Sequence, residues 1–181
     1  NLEMAATDEM LAIATRFRPH AACLVPEKRE ERTTEGGLDV AGLHNQIAPV
    51  VRTLKEAGSR VSLFIEPDPV QIAVAEVLGA PVVEFHTGRY AELWLEGDEA
   101  GVARELERLK LAAREAVQRG IEAHAGHGLT FDNVKPVAAI SEFAELNIGH
   151  FLIGEAIFTG LETAVKRMRA LMDEARAEQA A

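Results

Sequence analysis

The sequence predicts an α/β fold built on a parallel sheet, and two observations support this. Short apolar segments alternate with longer amphipathic segments through all 181 residues, which is typical of parallel strands joined by helical crossovers. In addition, polar residues occur where many of the predicted strands end. They are Glu3, Glu27, Glu66, His86 and His127. Since parallel strands end at the same edge of a sheet, these side chains are expected to gather there.

Six short apolar segments are predicted to be strands. They run from Asn1 to Met4, Ala21 to Val25, Arg60 to Ile65, Pro81 to His86, Ile121 to Ala125 and Leu146 to Ile153. All six are bounded by polar residues, glycine or proline, or by amphipathic segments. The last of them places Gly149 and His150 inside a strand.

Helices are predicted between the strands. The first begins after Thr7, a good N-cap residue, and Asp68 followed by Pro69 starts a compact helix that stops at Gly79. Apolar residues at helical spacing predict three longer helices. Their apolar stripes run from Val40 to Leu54, from Val102 to Val117 and from Leu161 to Met172.

Two architectures accommodate six such units, an open doubly wound sheet and most of a (β/α)₈ barrel. No GxGxxG or GxxxxGK[ST] fingerprint follows any strand, and the ring-like distribution of polar residues favours the barrel. A whole barrel takes ~250 residues. We therefore expect residues 1–181 to form a single domain, a TIM-type barrel that is N-terminally incomplete by about two units.

Composition excludes several classes of partner. The formal charge is −10, from 29 acidic and 19 basic residues, and no basic run is present, so neither a nucleic acid nor an anionic membrane is expected to bind. The single cysteine, Cys23, allows no internal disulfide and fits a reducing compartment. Because the sequence has no apolar stretch that could span a bilayer and no signal peptide, we expect a cytoplasmic protein.

Three residues are candidates for acid or base chemistry. Glu3 is placed at the end of its strand, where a carboxylate can act as a base or merely cap a helix. Glu84 and His86 share one strand face, and a carboxylate there needs a partner whichever side it faces. His127, between two glycines, can exchange a proton near neutral pH. His86, at the end of the same strand, is either a ligand contact or a hydrogen-bonding residue of the loop, and the second interpretation is preferred.

The spacing of His124 and His127 invites a metal site, but residues three apart in a strand point to opposite faces. With no third ligand nearby, neither a metal nor any other cofactor is expected. His124 is interpreted as a core histidine and Cys23 as a small buried apolar residue.

Glycines follow the last two predicted strands. The segments Gly126 to Gly128 and Gly149 to Gly154 correspond to the loops with which barrels bind phosphate through backbone N–H groups. Tight barrel packing is the competing explanation. Thr33, Thr34, Gly36 and Gly37 form a polar loop whose composition fits a lid or a plain surface loop.

Taken together, several segments resemble the pyridoxine 5′-phosphate synthase family, and the similarity runs in order through essentially the whole chain. They are NLEMA, LVPEKR, TTEGGLDV, VSLFI, VEFHTGRYA, AGHGLT and LNIGH. The resemblance implies a TIM barrel that condenses 1-deoxy-D-xylulose 5-phosphate with 3-amino-2-oxopropyl phosphate, closing a pyridine ring and releasing phosphate and water. It also implies phosphorylated substrates and a homo-oligomer.

The resemblance also implies residue roles. Glu3 corresponds to a catalytic proton acceptor, His127 to a proton donor and Glu84 to a carboxylate that stabilises the transition state. Positions that bind the phosphorylated substrates or product correspond to Thr33, Gly128, Gly149 and His150.

The family's first two strands carry a further catalytic histidine and several ligand-binding residues that this sequence does not match. We therefore expect the 181-residue chain to be inactive or barely active alone. Two other functions stay open. One is a non-catalytic module that binds or assembles on sugar phosphates, and the other is a different phosphosugar barrel enzyme, which TTEGGLDV disfavours.

Overall fold

The computed structural model describes residues 1–26 and 36–179, and within them six strands form one parallel sheet. The strands are β1 (Leu2–Ala5), β2 (Ala21–Val25), β3 (Arg60–Ile65), β4 (Val82–His86), β5 (Glu122–Gly126) and β6 (Phe143–Asn147). Each strand pairs with the next one in sequence, so β1 and β6 are the edges of the described sheet. A doubly wound sheet reverses its order at a switch point. The order found here excludes that alternative and fits a partial TIM barrel.

Eight helices accompany the strands in the described residues. They are α1 (Asp8–Phe17), α2 (His44–Glu56), α3 (Pro69–Val77), α4 (Gly88–Glu96), α5 (Glu99–Gln118), α6 (Val134–Ala138), α7 (His150–Thr159) and α8 (Leu161–Gln179). The predicted caps are confirmed, because Thr7 Oγ1 accepts from Met10 N at 3.3 Å and Asp68 Oδ1 accepts from Val70 N at 2.8 Å. Across these ranges, none of the helices has the length and apolarity needed to cross a bilayer.

The two faces of the sheet differ sharply in chemistry. Successive side chains of a strand point to opposite faces, and one set is fully buried and apolar against the helices, as in Leu63, Ile65 and Phe85. The other set is mostly polar, and we call the surface it forms the inner face. Its members include Cys23, Ser62, Glu84, His86, Glu122, His124 and Asn147. The apolar set stabilises the fold and leaves the inner face available for chemistry.

The predicted position of the last strand is wrong. β6 ends at Asn147, Gly149 is the N-cap of α7, and His150 is the first residue of that helix. Gly154 also lies inside α7 and not in a loop. The sequence FLIGEAIF is a short apolar run, and periodicity alone does not distinguish a strand from a helix in such a run.

Candidate functional site

Glu84 lies at the centre of the inner face. Its side chain is only 4% exposed, and its carboxylate is held by two side chains from other strands. Asn147 Nδ2 donates to Oε2 at 2.7 Å, and the Cys23 thiol donates to the same oxygen at 3.7 Å. The prediction that Glu84 needs a partner is confirmed.

The contact between Glu84 and Asn147 crosses an intervening strand. Glu84 is in β4 and Asn147 is in β6, with β5 between them. At Gly126 of β5, an added Cβ would clash with Glu84 Oε1 and lie 2.8 Å from the Asn147 carbonyl oxygen. Glycine is therefore required at this position so that the carboxylate can pass over β5.

The electrostatics of the inner face favour a protonated Glu84. Burial raises its pKa most, and the nearby charge of Glu3 raises it further, while the hydrogen bonds from Asn147 and Cys23 oppose both effects. The net result is a pKa of about 7. A carboxyl group with this pKa can exchange a proton at neutral pH, which an ordinary surface glutamate does poorly.

Glu3 is brought into the same region from the edge strand. The prediction that it ends β1 is wrong, because the pairing with β2 continues to Ala5, opposite Val25. Glu3 is exposed, and its charge acts on both Glu84 and Cys23. Burial and these two carboxylates raise the pKa of the Cys23 thiol, so the thiol stays protonated, in agreement with its predicted role as a buried small residue.

His127 follows β5 directly, in an uncommon backbone conformation. Its φ is 83°, a left-handed geometry that costs a non-glycine residue about 1–2 kcal/mol. Thr87 holds the turn, since its hydroxyl lies 2.7 Å from the Gly126 carbonyl oxygen and 2.6 Å from that of His127. The imidazole packs against His86, with 4.9 Å between the ring centroids. Strain of this kind is concentrated at functional sites.

The predicted phosphate-binding residues lie at the carboxyl ends of β5 and β6. Gly128 has a φ of 75°, and its carbonyl oxygen accepts from Asn133 Nδ2 at 3.1 Å. Gly149 and His150 lie at the N-terminus of α7, shortly after Asn147. Glu27 and Thr33 lie outside the described residues. Glu3 and Glu84 thus interact electrostatically on the inner face, whereas His127 lies after β5 beside His86. Gly128 and Gly149 follow the neighbouring strands β5 and β6.

A second cluster, centred on the carboxylate of Glu66, could not be predicted from the sequence pattern. His86 Nδ1 lies 2.9 Å from Glu66 Oε1, which also accepts from Gly37 N at 3.1 Å, and Arg108 Nη2 donates to Glu66 Oε2 at 3.0 Å. Burial raises the pKa of Glu66, but these hydrogen bonds outweigh it and lower the pKa to about 2. The sequence indicates only that Glu66 is a polar residue at the end of a strand, and the helical pattern contains no signal that distinguishes Arg108 from other surface residues.

His124 is buried and hydrogen-bonded, as predicted, but it lies on the polar inner face. It is 5% exposed, and its Nε2 lies 2.7 Å from Glu122 Oε1. The Glu122 carboxylate also forms an ion pair with Arg60. Within residues 1–26 and 36–179, no three His, Cys, Asp or Glu side chains are grouped so that they could hold a metal ion.

Comparison with known proteins assigns the family. Residues 1–174 match the family model described as "Pyridoxal phosphate biosynthesis protein PdxJ". Three relatives named pyridoxine 5′-phosphate synthase are similar over nearly the whole chain. The protein of Zymomonas mobilis is 64% identical over 98% of this chain and 68% of its own length. That of Rhodospirillum rubrum is 65% identical over 97% and 69%, and that of Caulobacter sp. strain K31 is 60% identical over 100% and 72%. The chain therefore belongs to the PdxJ family of pyridoxal phosphate biosynthesis proteins.

Proposed function

We propose that this chain has the activity named in its relatives, the synthesis of pyridoxine 5′-phosphate. The reaction condenses 1-deoxy-D-xylulose 5-phosphate with 3-amino-2-oxopropyl phosphate and releases phosphate and water. Family membership supports the assignment. The observation that connects the assignment to the chemistry is the buried Glu84, which has a pKa of about 7 raised in part by the charge of Glu3, and which accepts a hydrogen bond from Asn147.

The proposed roles follow from what the reaction requires. When an amine adds to a ketone and the ring closes, a proton must leave carbon and a hydroxyl group must be protonated to depart as water. We assign the first task to Glu3, an exposed carboxylate, and the second to His127. Glu84 stabilises the charge that develops between these two steps in its ionised form, which a pKa of about 7 keeps available at neutral pH. A carboxylate in a low-dielectric environment interacts strongly with cationic nitrogen.

We also propose that Gly128, Gly149, His150 and Thr33 bind the phosphate groups. Gly128 and Gly149 follow neighbouring strands, so their backbones lie at one edge of the sheet. His150 begins α7, a helix of 10 residues, and the first N–H groups of a helix favour anions. Thr33 is assigned by the family resemblance alone.

Two further proposals concern the setting of the protein. A cytoplasmic location is supported by the single buried thiol, which fits a reducing compartment. Self-association is supported by apolar side chains exposed on α7 and α8, among them Ile157 at 78% and Phe158 at 87%. Light scattering coupled to size-exclusion chromatography measures the oligomeric state.

Calorimetry and a turnover assay test the proposed activity. The chain should bind pyridoxine 5′-phosphate and should bind unphosphorylated pyridoxine much more weakly. Turnover is followed as product formed from both substrates, with and without the segment of the Zymomonas relative that this chain does not match, supplied as a separate polypeptide. In the sample that contains the added segment, Glu3→Gln and His127→Asn should each lower kcat by roughly 10²- to 10⁴-fold while product binding persists.

Two results would count against the proposal. Unchanged kcat in both variants would remove the assigned roles. Product binding without turnover, even with the added segment present, would favour the non-catalytic sugar-phosphate module instead.

A further inference from the structure

We propose that Glu66 is a positioning residue that holds His86 in its Nδ1–H tautomer and, through that ring, supports His127. The inference rests on the proposed function, in which His127 donates a proton. It assigns a task to a carboxylate, an arginine and a second histidine that the family resemblance left without one.

The contacts of Glu66 connect four parts of the fold. Its two carboxylate oxygens reach the His86 ring at the end of β4, the backbone of Gly37, and Arg108 in the middle of α5. The segment that carries Gly37 is also tied to β3, because Leu38 N donates to the Phe64 carbonyl oxygen at 2.6 Å. Three donors converge on one carboxylate, so its position is fixed from several directions.

This arrangement determines which nitrogen of His86 carries the proton. Glu66 has a pKa of about 2, so it is an ionised acceptor at neutral pH. An acceptor 2.9 Å from Nδ1 requires a proton on Nδ1, and a neutral ring then has an unprotonated Nε2. The tautomer therefore follows from the geometry of Glu66.

The Nε2 side of His86 faces the region where His127 lies. An added Cβ at Gly88 would clash with His86 Nε2 and lie 3.2 Å from His127 Cδ2, so both imidazole rings pack against this glycine. His86 is 7% exposed, and Phe64 packs edge-on against it at 5.2 Å between centroids. The ring has little room to turn, which makes it a firm support for His127.

The charged groups around His86 come from three elements. Glu66 faces it from the end of β3, Glu84 lies two residues earlier on the same face of β4, and Arg108 acts on it through Glu66. Glu66 contacts the ring itself, so Glu66 sets the orientation that His86 presents to His127.

Nuclear magnetic resonance of the imidazole nitrogens tests the inference without any turnover. Two-bond ¹H–¹⁵N spectra of the full chain, recorded at a pH where the rings are neutral, distinguish the Nδ1–H and Nε2–H tautomers, and His86→Asn assigns the resonances. His86 should be Nδ1–H in the unaltered chain. Glu66→Ala should convert it largely to Nε2–H, and Glu66→Gln, which retains an oxygen acceptor, should restore part of the Nδ1–H form.

Glu105→Ala is the matched control, because Glu105 pairs with the same Arg108 at 3.0 Å but has no contact with His86 recorded in the structure. It should leave the His86 spectrum unchanged. In the turnover assay, Glu66→Ala should lower kcat about tenfold or more with a smaller change in KM, and Glu105→Ala should alter neither.

The outcomes separate this inference from the proposed function. An Nε2–H tautomer in the unaltered chain would overturn the inference even if no variant folds, and so would equal effects of Glu66→Ala and Glu105→Ala. Absence of turnover in every sample, together with the expected tautomers, would refute the proposed function and leave the positioning of His86 standing.

Discussion

Replacing Glu84 with glutamine should change how the stability of the protein depends on pH. The folded state raises the pKa of this carboxyl group from an ordinary 4.5 to about 7. Such a difference corresponds to roughly 3 kcal/mol. Because the pKa is raised in the folded state, the associated stability is fully present below pH 4.5 and is lost as the pH rises through 7.

Glutamine has a similar shape and can accept the hydrogen bond from Asn147, but it does not ionise. The free energy of unfolding of Glu84→Gln should therefore equal that of the unaltered chain near pH 4.5. At a pH well above the raised pKa, the free energy of unfolding of Glu84→Gln should exceed that of the unaltered chain by about 3 kcal/mol. Urea unfolding followed by circular dichroism, repeated across this range, measures the difference.

Glu96→Gln is the control for this experiment, since Glu96 is an exposed carboxylate at the end of α4. Its difference should stay within about 0.5 kcal/mol. A Glu84→Gln difference that does not change with pH, or that becomes less favourable as the pH rises, would refute the reasoning about burial and the charge of Glu3.

Two further predictions concern close packing. Gly126→Ala should destabilise the fold by about 1–3 kcal/mol and disturb the Glu84 carboxylate, whereas Gly154→Ala, with open space around it inside α7, should be neutral or stabilising by up to about 1 kcal/mol. Urea unfolding of both variants checks this, and equal effects would contradict it. Leu109→Ala removes a fully buried side chain of α5 and should cost about 2–5 kcal/mol. Leu111→Ala, 55% exposed in the same helix, should cost well under 1 kcal/mol, and thermal unfolding that shows similar losses would contradict the core assignment.

The sequence was sufficient to predict the parallel sheet and five of its six strands to within about one residue. In those cases the apolar strand residues were bounded by residues typical of turns and helix caps, such as Asp68 after β3 and Gly120 before β5. The sixth strand was misplaced because the residues after Gly149 are apolar throughout, and α7 shows no polar stripe that would reveal its helical period.

The candidate site was predicted where one residue carried the signal alone. Glu84 stood out as a carboxylate within an apolar strand, and His127 as a histidine between glycines. The significance of Asn147, Glu66 and Arg108 could not be predicted, because it depends on contacts between residues 20 or more positions apart. Which residues meet across a sheet depends on the register of the strands, and a single sequence does not specify register directly.

The alternation along the strands divides substitutions into two classes. A change at Leu63 or Ile65 acts on the packing against the helices, and the protein would lose its fold before its chemistry altered. A change at Ser62 or Phe64, the intervening positions of the same strand, acts on the inner face, where the candidate site lies. Alternate residues of a single strand therefore differ in what a mutation affects: one set affects folding and the other affects reactivity. Substitutions in the second set offer a route to new specificities on an unaltered scaffold.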